Sequence, residues 1–587
     1  MDRRTVWAIL LMMVIAITPA IFIKRPPRPA AGPGSAADSG APARARAPAA
    51  PPGAVAPAGP AVPDRARPAD SAARDTLRPP ADSAGATAAA PVRTVRVTSP
   101  LYSYGISTAG ARLVEARLRH YRSIAPADSN RTAEILPADS RLLGLTLVLG
   151  RDTIALDGWT FAASTDSLDA AAGEPLRLTA TRGPVAVELA YRFAPDDYRV
   201  AVSGRVTGVG PNGGTLLVGM GPTLANTEAN IEENHAALAV VTRRTDADRI
   251  DLGSLKPGET RTVSGPLDWV AMKSKYFVTG VLAYDSTGGR IGGAALTARP
   301  TTEKRPTEAD VSLSIPLPPG GEFSYTAYAG PMEYDRLGRL GRGFDDVNPY
   351  GWPGFRTIIR PVAVGVRWLL VWMHEHLYLA YGLVLVCFGI MVRILLWPLN
   401  QKAMRANMQL QAVQPLMKEI QERHKADPQR MQQEMFKLYK EYKVNPLGGC
   451  WPMLLPMPVL FALFFVFQNT IELRGASFLW LPDLSRPDPL YIIPIIMGAS
   501  MWGLSKVGMI GMEPNPQMKM MLYIMPVMMT FLFLNFASGL NLYYAVSNIA
   551  SIPQQWLLAR ERLRKNAAAV VATKPAVVGA GKTKKKA

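Results

Sequence analysis

The residue of this chain in the most unusual chemical setting is an arginine. Arg393 stands in LVLVCFGIMVRILLWPLNQ, residues 383 to 401, a stretch otherwise apolar enough to enter a bilayer. A guanidinium stays charged at any working pH, and placing one at a bilayer centre costs roughly 2.5–3.5 kcal/mol on insertion scales. Trp397 and Pro398 mark a boundary one helical turn away, a rise of only about 6 Å. Snorkelling to that boundary and service as a functional cation are both open on the bare sequence. No Asp or Glu falls inside the apolar spans, so no carboxylate partner for Arg393 is evident.

Other chemistries find little support. Cys387 and Cys450 lie in or beside apolar stretches and form no disulfide or metal pattern. His374 and His376 flank Glu375, but such neighbours project about 200° apart on a helix and cannot share a metal. A formal GxGxxG runs from Gly208 to Gly213 in GVGPNGG. It lies between two predicted strands, so no helix N-terminus follows to hold a pyrophosphate, and it reads as a turn. No GxSxG, HExxH or P-loop is present. Neither a catalytic set, a metal nor a cofactor is expected.

The elements that must position Arg393 follow from composition. The chain has 587 residues, of which 48% are hydrophobic, and 65 Lys and Arg against 46 Asp and Glu give a net charge of +19. The first reading of that excess is the basic bias of cytoplasmic segments in a membrane protein. Nucleic acid, the ribosome or anionic lipid are the other candidates. Residues 1–24 hold a basic flank and an apolar run from Val6 to Ile23, expected to be an uncleaved transmembrane anchor with a cytoplasmic N-terminus. Residues 25–94 are dominated by Ala and Pro and predict a disordered tether. Residues 95–335 alternate in short runs such as VAVELAYRF and YRVAVSGRVTG, broken by turn residues, which predicts an all-β sandwich.

Residues 350–376 mix Arg356, Arg360 and Arg367 with Trp352, Trp368 and Trp372, as an amphipathic helix in the membrane interface would. Spans are then expected at about Leu377–Trp397, Trp451–Phe467, Leu490–Leu504, Met518–Leu534 and Leu540–Leu558, which with the anchor makes six. The strongly basic segment 400–443 and the basic tail 560–587 place both termini in the cytoplasm and the β region outside it. Segment 400–443 reads as a helical hairpin, with Asp427-Pro428 opening its second arm. Met431, Met435, Leu438 and Tyr442 form a stripe on that arm, opposite Val413, Leu416 and Ile420. The stripes either hold the two arms together or dock partners.

These residues together resemble the YidC family of membrane-protein insertases. The resemblance is carried by VRILLWPL at 392–399, YKEYKVNPLGGCWPMLLPMPVLFALF at 439–464, LPDLSRPDPLYIIPIIMG at 481–498 and LYYAVSNIASIPQQW at 542–556. WVAMKSKYF at 269–277 and AYAGPMEYDRL at 327–337 extend it, more loosely, into the β region. The family implies a polytopic α-helical core over 377–559, with five helices around a hydrophilic groove closed on the outer side, and a β-sandwich periplasmic domain. It implies that Arg393, Tyr544 and Gly389 line the groove, and that Met457, Leu460, Val527 and Leu532 lie on the slide along which a substrate's apolar segment moves into lipid. Two positions depart from the family pattern: Ala537 replaces a common proline, and Gly389 stands where some relatives carry a polar residue.

The implied activity is insertion and folding of newly made inner-membrane proteins, alone or with the Sec translocon, with no bond made or broken. Expected partners are nascent membrane proteins and anionic lipids, with the ribosome and signal-recognition receptor reached through the hairpin and tail. A membrane-embedded assembly scaffold or a transporter is the alternative. A transporter would show paired ionisable groups and repeated halves, and the sequence has neither.

Overall fold

The computed structural model describes residues 91–283, 290–302, 305–351, 355–425, 427–442, 457–511 and 516–573. The expected anchor, nearly all of the tether, the NPLGGC motif with Cys450, and the end of the basic tail lie outside them.

The first part is built of strands. Twenty strands between Thr94 and Pro331 form a five-stranded, a nine-stranded and a six-stranded sheet. The alternation seen in the sequence becomes a register. In strand Val185–Phe193, Val185, Val187, Leu189, Tyr191 and Phe193 are buried while Glu188 and Arg192 face out. It pairs antiparallel with Arg199–Thr207, Val187 opposite Val206; a one-residue slip would bring every buried side chain to solvent. One cluster of buried side chains runs through all three sheets. The glycine-rich GVGPNGG is a connection between strands Arg199–Thr207 and Gly214–Met220 of different sheets, with Gly208, Gly210 and Gly213 at positive φ.

Two strands are buried along their whole length. Trp269–Lys273 and Phe277–Leu282 are buried on both faces, as happens where a sheet is covered on each side. The second cover is the segment after the sandwich. Phe344, in a short turn of helix at Phe344–Val347, meets the Trp269 ring edge-on at 5.0 Å. It fits because Gly280 has no side chain: a Cβ there would lie 2.7 Å from the Phe344 ring.

Helices follow. Short helices α1 (Ile231–Ala237) and α2 (Tyr334–Arg339) belong to the β part. The remainder comprises α3 (Arg356–Leu377), α4 (Tyr381–Ala412), α5 (Gln414–Arg423), α6 (Pro428–Glu441), α7 (Met457–Asn469), α8 (Ile492–Gly508), α9 (Pro516–Phe533) and α10 (Ser538–Thr573). In α6, Asp427 accepts from the Gln429 and Arg430 amides and Pro428 opens the first turn. Leu438 and Val413 are buried, whereas Tyr442 is exposed at the end of α6, so the apolar stripe stops one turn earlier than its spacing suggests. Among the described residues one window, Tyr381–Pro398, is long and apolar enough to cross a membrane, with shorter apolar helices at Pro458–Asn469, Ile492–Gly508 and Leu522–Phe533.

Candidate functional site

Arg393 lies near the middle of α4, on the side packed against α10. The two helices approach closely because Gly389 offers no side chain: a Cβ there would lie 3.2 Å from Val546 and 3.6 Å from Tyr543. Gly389 thus acts through packing one turn from the arginine. The Arg393 Nε donates to the Ser547 hydroxyl at 2.6 Å. Among the described residues no carboxylate pairs with it.

Further polar groups run along the same face of α10. The Tyr544 hydroxyl is buried with no partner among the described residues, its ring edge-on to Phe533 of α9 at 5.6 Å. Ser551 donates to the Ser547 carbonyl at 2.7 Å, and the Gln554 amide donates to the Trp397 carbonyl at 3.1 Å. Asn548 donates to Ser500 of α8 at 3.3 Å. Tyr544, Ser547, Ser551 and Gln554 are spaced by three, four and three positions, which aligns them on one helix face. That spacing was legible in LYYAVSNIASIPQQW, yet Ser547, Asn548 and Gln554 were not singled out from the sequence. In a lipid-facing environment such a row needs partners or a polar cavity.

The expected slide residues are spread over two helices. Leu460 of α7 and Leu532 of α9 are half-buried, Val527 of α9 is 57% exposed, and the Met457 side chain is outside the described residues. Met520, Ile524, Val527 and Phe531 are all exposed on α9 at helical spacing, an apolar strip on the outside of the bundle.

A second constellation joins the helical part to the β part, and sequence reasoning gave no hint of it. The chain after α7 carries Ile471, Glu472 and Arg474. Ile471 is 2% exposed and belongs to the sandwich's core cluster. Arg367 of α3 donates to Glu472 at 2.7 Å and also pairs with Asp335 of α2. Arg360 reaches Asp345 at 2.6 Å and Asp346 at 3.2 Å. Lys273, in the WVAMKSKYF stretch, donates from full burial to the Asn348 side chain at 2.9 Å, and Asn348 donates to the Asn469 carbonyl at 3.4 Å. Burial holds the Lys273 ammonium well below the ordinary lysine pKa, Arg249 adding to the shift and Asp251 opposing it.

Among the described residues no group of three or more His, Cys, Asp or Glu could hold a metal. His374 turns its Nδ1 to the Leu379 carbonyl and His376 stacks on Trp372.

Comparison with known proteins assigns both parts. The family model described as YidC periplasmic domain matches residues 94–363, and that described as 60Kd inner membrane protein matches residues 372–566. A membrane protein insertase YidC of Oleidesulfovibrio alaskensis is 31% identical over 522 residues, covering 85% of this chain and 93% of the relative. One from Chlorobaculum tepidum is 30% identical over 558 residues, covering 88% and 91%. A crystal structure of an active YidC insertase, with its first transmembrane domain resolved, covers 80% of this chain and 95% of that one at 16% identity and a TM-score of 0.32. With relatives this similar over nearly their whole length, and with both family models accounted for in order, the chain belongs to the YidC family of inner-membrane protein insertases.

Proposed function

We propose that this protein inserts newly made proteins into the inner membrane, using Arg393 as a fixed cation in a hydrophilic groove between α4 and α10. The observation that carries this reading is that, among the described residues, the guanidinium is held only by a hydroxyl, beside a buried tyrosine hydroxyl with no partner there and a row of serine and amide groups. A wetted groove hydrates such a charge, and the low dielectric around it strengthens attraction to an acidic segment. The incoming chain's polar tail enters beside Arg393 and Tyr544, while its apolar segment leaves along Met457, Leu460, Val527 and Leu532 into lipid. No bond is made or broken.

The full arrangement has six spans, both termini and the α5–α6 hairpin in the cytoplasm, and the β part outside. It consists of anchor 1–24, tether 25–94, periplasmic domain 95–335, interfacial helix 350–376, core 377–559 with its hairpin 400–443, and tail 560–587. The basic hairpin and tail suit the ribosome, the signal-recognition receptor and anionic lipid. Handover from the Sec translocon is compatible with a groove that opens sideways.

The test is insertion in vitro of paired substrates that differ only in the charge of the translocated tail. Arg393→Ala lowers insertion of the acidic-tailed member most, Arg393→Lys retains much of it, and Arg393→Glu is worst. An acidic-to-neutral ratio unchanged across the series would make Arg393 a snorkelling residue and remove the groove mechanism.

A further inference from the structure

The loop between α7 and α8 is gripped from both sides. From the β part, Glu228 accepts from Arg474 Nε at 2.8 Å, and the Arg122 and Thr227 carbonyls accept from its two terminal nitrogens at 2.8 and 3.0 Å. The guanidinium also lies over the rings of Tyr276 and Phe277, at 6.0 and 5.4 Å. The Arg474 and Glu228 side chains are 4% and 6% exposed, so the pair is desolvated and its geometry is tightly specified.

On the other side the same loop holds the start of α10. The Ser538 amide donates to the Arg486 carbonyl at 2.7 Å, its hydroxyl to the Asp483 carbonyl at 3.2 Å, and the Gly539 amide to the Leu484 carbonyl at 2.9 Å. Phe478 of the loop also packs on Gly382, in the first turn of α4. The loop therefore touches the outer ends of both helices that carry the groove: α4 with Arg393 and α10 with Tyr544 and Ser547.

We infer that Arg474 is a positioning residue: it keys the β part onto the α7–α8 loop, and the loop fixes the outer ends of α4 and α10 so that the groove stays shut on that side. The β part is then a buttress for the groove's outer wall. Three acceptors arranged around one planar fork suit arginine and no other side chain. This consequence for insertion rests on the groove reading above, but the closure itself is measured without any substrate.

The experiment uses the full chain in sealed vesicles, with Cys387→Ser and Cys450→Ser, and a reporter at Ser538→Cys, a position fully buried under the loop. A membrane-impermeant maleimide is added on the side of the β part. With Arg474 present the reporter labels slowly; Arg474→Ala accelerates it about tenfold, the change that roughly 1.4 kcal/mol of local stability produces. Arg474→Lys falls between, because a point charge meets Glu228 but not all three acceptors. A control reporter at Ser140→Cys, buried within the sandwich, keeps its slow rate throughout. Equal acceleration at both reporters would mean that Arg474 merely supports the β fold, and no acceleration at Ser538→Cys would mean that it supports nothing beyond itself; either overturns the inference. Should Arg474→Ala fail to fold, Glu228→Gln keeps the shape of the pair and removes one charge, and it must still accelerate the Ser538→Cys reporter alone. In the insertion assay Arg474→Ala slows acidic and neutral tails by the same factor, unlike the charge-dependent pattern of the Arg393 series.

Discussion

Two regions of this molecule partner their arginines in opposite ways. At the joint between the β part and the helices Arg360, Arg367 and Arg474 each meet carboxylates: Asp345 and Asp346, Asp335 and Glu472, and Glu228. Within the bundle Arg393 meets the hydroxyl of Ser547. Neutralised pairs specify how two parts fit, and their field dies away within a short distance. A guanidinium without a counter-charge keeps an unbalanced field that a visiting acidic group can answer. The difference separates charges that meet carboxylates across the joint from one that, among the described residues, meets a hydroxyl.

The comparison can be broken most forcefully at the joint. Glu228→Ala leaves Arg474 buried and unpaired, and the expected loss in thermal unfolding of the full chain is about 3–5 kcal/mol. Replacing both Arg474 and Glu228 with Met should recover much of it. A double variant as unstable as the single one would show that the pair's charges are not what matters. The next effect comes from making the groove resemble the joint. Ser547→Asp gives Arg393 a carboxylate, so insertion of acidic-tailed substrates should fall about tenfold relative to neutral ones, a change of roughly 1.4 kcal/mol. Retained preference for acidic tails would mean that Arg393 acts other than by its free charge.

Lys273 tests the joint by pH. Its folded pKa is depressed by burial, so between that value and about 10.4 the unfolded chain binds a proton that the folded one does not. Stability then rises with pH across this window by about 1.4 kcal/mol per pH unit, and is lost again as pH falls towards the depressed value. Chemical denaturation at several pH values should show a steeper rise for the parent than for Lys273→Met; parallel lines would place a charged Lys273 in the folded protein. The smallest effect is expected from Ser547→Ala. It removes a hydrogen bond to a charged group, about 1.5–3 kcal/mol at most, but a hydrated groove can replace that bond, so insertion should drop only a few-fold. A loss matching that of Arg393→Ala would make the hydroxyl as necessary as the charge.

Much of this was legible in the chain because the relevant signals are local. Alternation in VAVELAYRF gave a strand and its buried face, and Asp427-Pro428 gave a helix start. A lone arginine in an apolar run singled out Arg393, without deciding between snorkelling and service as a functional cation. The joint was not legible. Arg474 looks like one more charge in a loop, and its partners Arg122, Thr227 and Glu228 lie about 250 or more positions away in sequence; no periodicity spans such a gap. The packing role of Gly389 was hidden for a related reason. The space it leaves is filled by Val546 and Tyr543 from a helix far along the chain. The doubly buried strand Trp269–Lys273 likewise needed knowledge of what covers its second face.

Helix α4 runs unbroken for 32 residues, from Tyr381 beside the α7–α8 loop to Ala412 just before α5, a length of about 48 Å. It is a lever, and Pro398 is its soft joint, because proline supplies no amide to the carbonyl of Ile394 and crowds the turn before it. The soft joint falls beyond Arg393, on the hairpin side. A load applied to the hairpin is therefore absorbed as bending at Pro398 before it reaches the guanidinium, and the segment from Tyr381 to Trp397 behaves as the stiff half. Bending at Pro398 therefore moves the α5–α6 end of the helix and leaves the turn that carries Arg393 in place.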